Sequence, residues 1–354
     1  MTLPLYSRVN SRPGAAQTRA GFLVDGCGLA VVILAVEPEE RAARMMMCMG
    51  EARHVGLDRL RTLGRTAQSL AARYGRGLRS SLRLDCSDVL AEAMSARQHA
   101  KELVACDLGV MWIGHATVLM RIGGVTILTD PVLSQRIGPR VAGRTLGIER
   151  LIPLPFHPCQ MPAIDIVLLS HAHFDHLDRP SLQRLANPRT TVITSRGTRT
   201  LIPPGFNTII EMDWADRVSL GGVRFSAIRP RHWGARSLWD HHRGCNSYLI
   251  EGEGRRILFG GDTAMTAAFN NVDGADIAVF GIGAYEPWER AHATPEQVWR
   301  MVQAAGARHI LPVHHSTFPM GDEAREEPMW RLLAAAGDDA SRVLAHKPGD
   351  LWAA

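Results

Sequence analysis

The hexapeptide His171-Ala172-His173-Phe174-Asp175-His176 puts four potential metal ligands within six residues, directly after the apolar run 164–169. Imidazole and carboxylate together suit zinc, iron or manganese. His171 and His173 alternate, so in an extended stretch they point the same way. The chain then turns, and Asp175 and His176 can serve a neighbouring ion. Two ions need more ligands than one loop offers. His232, Asp262 and His314 each follow an apolar run, at 223–228, 257–259 and 309–313. A carboxylate can bridge two cations, and Asp262 is the natural bridge. The expected partition is His171, His173 and His232 on one ion and Asp175, His176 and His314 on the other, with Asp262 and a water-derived hydroxide between them. Taken singly, His232 and His314 also fit hydrogen-bonded rim histidines.

Short runs rich in branched residues recur at 110–113, 125–128, 164–169, 191–194, 223–228, 246–250, 256–259, 277–280 and 309–313. Their length and composition predict strands. Helical patterns occupy 294–305 and 326–336. Strands with intervening helices indicate layered packing of the α/β or α+β kind. Most of the polar clusters stand just after a strand, where rim loops on a rigid scaffold carry chemistry.

Residues 171–176 match in full the His-x-His-x-Asp-His signature of the metallo-β-lactamase superfamily, and the resemblance covers about residues 109–350. A narrower set of motifs resembles the branch holding N-acylphosphatidylethanolamine-hydrolysing phospholipase D. These are Trp112-Ile113-Gly114-His115-Ala116-Thr117, Leu128-Thr129-Asp130-Pro131, Gly260-Gly261-Asp262-Thr263, Gly283-Ala284-Tyr285-Glu286-Pro287 and 314–318. The resemblance implies an α+β fold, a four-layer αββα sandwich with two zinc ions at one edge of the sheets, Mn2+ or Fe2+ being alternatives. It places the metal ligands on the seven residues named above. It makes His292 an active-site histidine near the substrate phosphate, and His115 and Asp130 supporting positions. The implied activity is hydrolysis of a phosphodiester, such as an N-acylphosphatidylethanolamine-like phospholipid, by a bridging hydroxide. Asp175, Asp262 and His292 would be the catalytic groups. A lactonase, another hydrolase of small anionic substrates, and a metal-binding regulatory protein without turnover are the alternatives. Tyr285 reads equally as a donor or a packed tyrosine. Arg229 and Arg231 flank His232 and could attract an anion. His241, His242 and His315 are imidazoles beyond the family pattern.

The 354 residues are 46% hydrophobic and 21% charged, ordinary for a soluble globular protein. The net charge of +5 comes almost entirely from Arg, only Lys101 and Lys347 being lysines. No basic block interleaved with aromatics argues for nucleic acid. Six cysteines without a CxxC pattern fit a reducing compartment, so a cytoplasmic protein with peripheral membrane contact is expected. Residues 1–105 read as a partly helical, loosely ordered extension, with two or three short helices in 51–101. Residues 106–354 read as the catalytic domain. Segment 21–36 is apolar but only 16 residues long and contains Asp25. It reads as a local element, with a membrane-associated segment or an export signal as alternatives. The methionine cluster at 45–49 suits packing.

Overall fold

The structure, a computed structural model, describes residues 20–24, 30–34 and 86–354 except 238, 345 and 346. The chain divides into two units, Met1–Ser80 and Ser81–Ala354. In the first, β1 (Ala20–Val24) pairs antiparallel with β2 (Ala30–Leu34). The methionine cluster and most of 51–101 lie outside the described residues. The described part of that stretch falls in α1 (Cys86–Ala105), a single helix of 20 residues.

The second unit continues with β3 (Leu108–Gly114), β4 (Thr117–Ile122) and β5 (Val125–Thr129). Two small hairpin ladders follow: β6 (Arg136–Ile137) with β9 (Ile148–Glu149), and β7 (Arg140–Val141) with β8 (Arg144–Thr145). Next come β10 (Ile166–Leu168), α2 (Arg179–Leu185), β11 (Thr191–Ser195), β12 (Thr208–Met212), β13 (Arg217–Leu220) and β14 (Val223–Ile228). The chain ends with β15 (Ser247–Gly252), β16 (Arg255–Phe259), β17 (Ala275–Gly281), α3 (Pro295–Ala304), β18 (Ala307–Val313), α4 (Glu327–Ala336) and β19 (Leu351–Ala353).

One sheet has the order β12-β11-β10-β5-β4-β3-β19 and the other β13-β14-β15-β16-β17-β18. Alternation along the strands separates the layers. Val110, Trp112, Val118, Met120 and Ile122 of the first sheet meet Phe225, Tyr248, Ile250, Phe259, Ile277 and Val279 of the second in a shared core. The intervening residues face outward and are covered by helices. Met111, Ile113 and Leu119 pack under Ala96, Ala100 and Leu103 of α1, and Val167 and Val192 under Leu182 of α2. On the far side, Ala278, Phe280 and Ile310 lie beneath Val298, Trp299 and Val302 of α3 and Leu332 of α4. Sheets buried on both faces explain strands that read as unbroken apolar runs. The result is the expected four-layer αββα sandwich. α3 starts where predicted: Thr294 caps it, accepting from the Gln297 amide while the Gln297 side chain returns to the Thr294 amide, and Pro295 opens the first turn.

Candidate metal centre

Strand direction brings the polar residues together. In the first sheet β5 and β10 run parallel, and β3 points the same way because β4 is antiparallel to both β3 and β5. In the second, β16, β17 and β18 are parallel, and β14 shares their direction through antiparallel β15. His115, Asp130 and the 171–176 loop follow β3, β5 and β10. His232, Asp262, His292 and His314 follow β14, β16, β17 and β18. Each expected site residue therefore leaves its sheet at a strand's C-terminal end.

Local backbone choices make the close approach possible. Asp262 is reached through Gly260 and Gly261. A Cβ on Gly260 would sit 2.3 Å from the Phe280 ring, and Gly261, at φ +57°, stands against Ser170. His115, Asp130 and His314 adopt φ values of 53°, 33° and 60°, a region costing non-glycine residues about 1–3 kcal/mol each. The surroundings hold them there. The His115 carbonyl accepts from the His314 amide at 3.0 Å and from Trp112 Nε1 at 2.8 Å, while its amide donates to Thr317 Oγ1 at 2.7 Å.

Two sets of donors converge, each with all its atoms within 4.8 Å of one another: His171, His173, His232 and Asp262, and His115, Asp175, His176 and His314. In the first set His171 Nε2 is 2.8 Å and His232 Nε2 3.4 Å from His173 Nδ1. In the second, Asp175 Oδ2 lies 3.0 Å from His115 Nε2, 3.4 Å from His176 Nε2 and 3.2 Å from His314 Nε2. Asp262 Oδ2 joins them: it is 3.9 Å from His171, 3.1 Å from His176, 3.8 Å from His232, 3.8 Å from His292 and 3.3 Å from His314. Asp262, His292 and His314 form a third overlapping set.

These residues fit a cation. His176 is fully buried, and its Nδ1 lies 2.7 Å from Asp130 Oδ2. That contact fixes a proton on Nδ1 and turns Nε2 toward two carboxylates. Nε2 has no hydrogen-bond partner. A neutral Nε2 aimed at carboxylate oxygens is repulsive, so positive charge belongs there: either a proton on Nε2, which the carboxylates favour, or a cation in its place. His232 is arranged similarly, with Nδ1 3.0 Å from the Ala291 carbonyl.

The electrostatics follow from burial against mutual attraction. Burial, with the neighbouring histidines, holds His171 well below the usual imidazole range. Burial likewise holds His232 well below that range, despite the pull of Asp262. Burial opposes the charge on Asp175 and Asp262, yet His176 and its neighbours outweigh it and keep both carboxyls well below the ordinary range. His176 is raised because Asp262, Asp175 and Asp130 overcome its desolvation. Burial lowers His292 to about 4 and His115 to about 3.

The remaining expected residues stand elsewhere. The Tyr285 hydroxyl donates to Glu327 Oε1 at 2.7 Å, and Arg331 lies over its ring at 4.7 Å, so this tyrosine fastens α4. Arg229 stacks on Trp214 at 4.2 Å, and the exposed Arg231 is held through its backbone to Thr263 Oγ1. His241 and His242 are exposed and enter none of the three sets, while His315 is buried and stacks on Trp112 at 4.7 Å. Sequence reasoning missed Arg236. Its Nη1 donates to Ala172 O at 3.1 Å and Leu177 O at 2.7 Å, and its guanidinium lies 3.9 Å over Phe174. It ties both ends of the histidine loop together. Only its nearness to His232 in the chain hinted at this.

The sandwich and the converging imidazoles and carboxylates define a metal-dependent hydrolase. The chain belongs to the β-lactamase superfamily, whose domain model matches residues 125–315, and falls in the branch of the N-acylphosphatidylethanolamine-hydrolysing phospholipases D. It is 32% identical over 265 residues to an uncharacterized protein of Mycobacterium tuberculosis, covering 69% of this chain and 68% of that one. It is 32% identical over 271 residues to N-acyl-phosphatidylethanolamine-hydrolyzing phospholipase D 1 of Caenorhabditis elegans, covering 69% and 75%. Among solved structures, the metallo-β-lactamase fold protein YhfI of Bacillus subtilis superposes with a TM-score of 0.50 at 15% identity, over 70% of this chain and 99% of that one.

Proposed function

We propose that this chain is a two-metal phosphodiesterase acting on an N-acylphosphatidylethanolamine-like phospholipid, with residues 106–354 as its catalytic domain. The observation that carries this reading is Asp262 Oδ2, within 3.9 Å of nitrogens from both donor sets. One carboxylate oxygen so placed suits a bridge between two cations. His171, His173 and His232 would hold one, Asp175, His176 and His314 the other, and Asp262 both. The imidazole-rich donor set favours zinc. Such a pair supplies Lewis acidity and a nucleophilic water at neutral pH.

The protein's own groups do the rest. Asp175 and Asp262 stay ionised and neutralise the cations. Asp130 and the Ala291 carbonyl fix the imidazole tautomers. His292 stays neutral down to about pH 4 because it is buried. It therefore serves as a hydrogen-bond donor to a substrate oxygen rather than as a stored proton. Hydrolysis adds water across one P–O bond and releases a phosphomonoester and an alcohol. The substrate class rests on the phospholipase D activity named for the Caenorhabditis elegans relative and on the motifs shared with its branch.

The test incubates metal-loaded protein with a panel of phospholipids, simple phosphodiesters and lactones and identifies products by mass. A phosphomonoester from the N-acylated phospholipid is expected. Ring-opened hydroxy acids without any phosphomonoester would transfer the site to lactone chemistry.

A further inference from the structure

Among the described residues nine large apolar side chains are exposed, and five belong to two loops that border the metal centre: Val141, Leu146 and Leu151 after β5, and Trp233 and Trp239 after β14. Scattered exposed apolar residues need no explanation, but a concentration beside one site does. Both loops are anchored to that site. The Leu151 amide donates to Thr317 O at 2.8 Å, and Leu151 lines a small cavity with His314, Phe318 and Met320. The Trp233 ring stacks on His232 with centroids 4.5 Å apart. Trp239 is 90% exposed.

The hairpin after β5 has an ordered face. Val141 pairs with Arg144 across the ladder, and the Leu146 amide donates to Pro139 O at 2.9 Å. By strand alternation Pro139, Val141, Arg144 and Leu146 share one side. Val141 and Leu146 are 55% and 53% exposed. The charge beside them is positive. Between 136 and 150 stand four arginines and a single acid, Glu149, which Arg136 engages at 2.5 Å. Arg150 is buried, leaving Arg140 and Arg144 exposed at the tip.

Apolar side chains interleaved with exposed arginines, and exposed tryptophans, Trp233 stacked on His232, suit the headgroup layer of an anionic bilayer, where acyl tails accept the apolar groups and phosphates the guanidiniums. We propose that the 139–151 hairpin, with Trp233 and Trp239 after β14, is a docking surface for anionic lipid that sets the mouth of the metal centre against the membrane. This builds on the phospholipid reading above and names the part of the surface that reaches the lipid.

The test measures sedimentation of the full-length protein with vesicles of phosphatidylcholine and phosphatidylglycerol in equal parts. Hydrolysis of water-soluble bis(4-nitrophenyl) phosphate is followed in parallel. The double variant Val141→Asp, Leu146→Asp and the single variant Trp239→Asp should each bind vesicles at least roughly tenfold more weakly than the wild type. Their turnover of the soluble diester should equal that of the wild type. Wild-type protein that stays in the supernatant, or variants that sediment as it does, overturn the docking surface. A wild-type dimer that the double variant dissociates, without vesicle binding, overturns it in favour of a second copy. Vesicle binding is read without turnover, so failure of the phosphodiesterase reading would show separately, as an inert soluble diester beside intact binding.

Discussion

Asp130 and His176, 46 residues apart in the chain, meet through Oδ2 and Nδ1 at 2.7 Å with both side chains fully buried. Ser170 locks the same carboxylate, donating from its amide to Oδ1 at 2.7 Å and from Oγ to Oδ2 at 2.6 Å. Asp130 thus decides which nitrogen of His176 faces the centre. Asp130→Asn turns an acceptor into an amide whose NH2 can confront the His176 proton. Metal affinity should fall about 10–100-fold, as for other partners of ligand histidines. Chelator competition gives the affinity and circular dichroism confirms the fold. An unchanged affinity would remove Asp130 from its supporting role.

Asp262 and His292 separate holding the metal from using it. Asp262 reaches both donor sets, so Asp262→Asn should release metal and abolish turnover. His292 Nδ1 faces Asp262 Oδ2 at 3.8 Å from outside the seven proposed ligands. His292→Ala should retain the metal of the wild type and lose about 10²–10³-fold in kcat, the typical cost of one preorganised donor. Elemental analysis beside kinetics checks both. A fully active Asp262 variant would refute the bridging assignment.

The candidate site was legible because the residues that converge on it are consecutive in one loop or stand directly after apolar runs. His171, His173, Asp175 and His176 could be named from spacing, and His232, Asp262 and His314 from their positions after strands. Strands β1, β2, β4, β6 to β9, β12, β13 and β19 fall outside the runs that predict strands, and α2 falls outside the helical patterns. β13, with a half-exposed pattern, has little apolar signal, and β19 is three residues long. The role of Arg236 was hidden for a different reason. Its partners are the carbonyls of Ala172 and Leu177, and backbone acceptors leave no trace in residue type. Tyr285 could not be decided from sequence either, since its hydroxyl partner Glu327 lies 42 residues further on.

Arg236 offers a test of loop bracing. Its guanidinium spans two carbonyls and stacks on Phe174, a planar geometry that a lysine ammonium cannot reproduce. Arg236→Lys should weaken metal binding by about tenfold, less than Asp130→Asn, because the ligands keep their own partners. Metal titration of both variants side by side gives the ranking. Wild-type affinity in Arg236→Lys would show that the loop holds its shape unaided.

The last prediction concerns the α3–α4 layer that backs the site. Arg331 Nε and Nη2 donate to Glu296 Oε1 and Oε2 at 2.8 and 2.9 Å, a two-pronged pairing between the helices. These bonds, with a further one from Thr294 and against partial desolvation, hold the Glu296 carboxyl down to about 2 from an ordinary 4.5. A carboxyl lowered on folding stabilises the folded state above its unfolded value. That stability drains away as pH falls from 4.5 toward about 2. The Glu296 side chain is 43% exposed, so solvent screening limits the contribution to under about 1 kcal/mol. Urea unfolding of wild type and Glu296→Gln should therefore differ by that amount near neutral pH. The difference should shrink through the acidic window and in high salt. A gap that is constant with pH, or absent at neutrality, would show that the pair contributes packing or nothing.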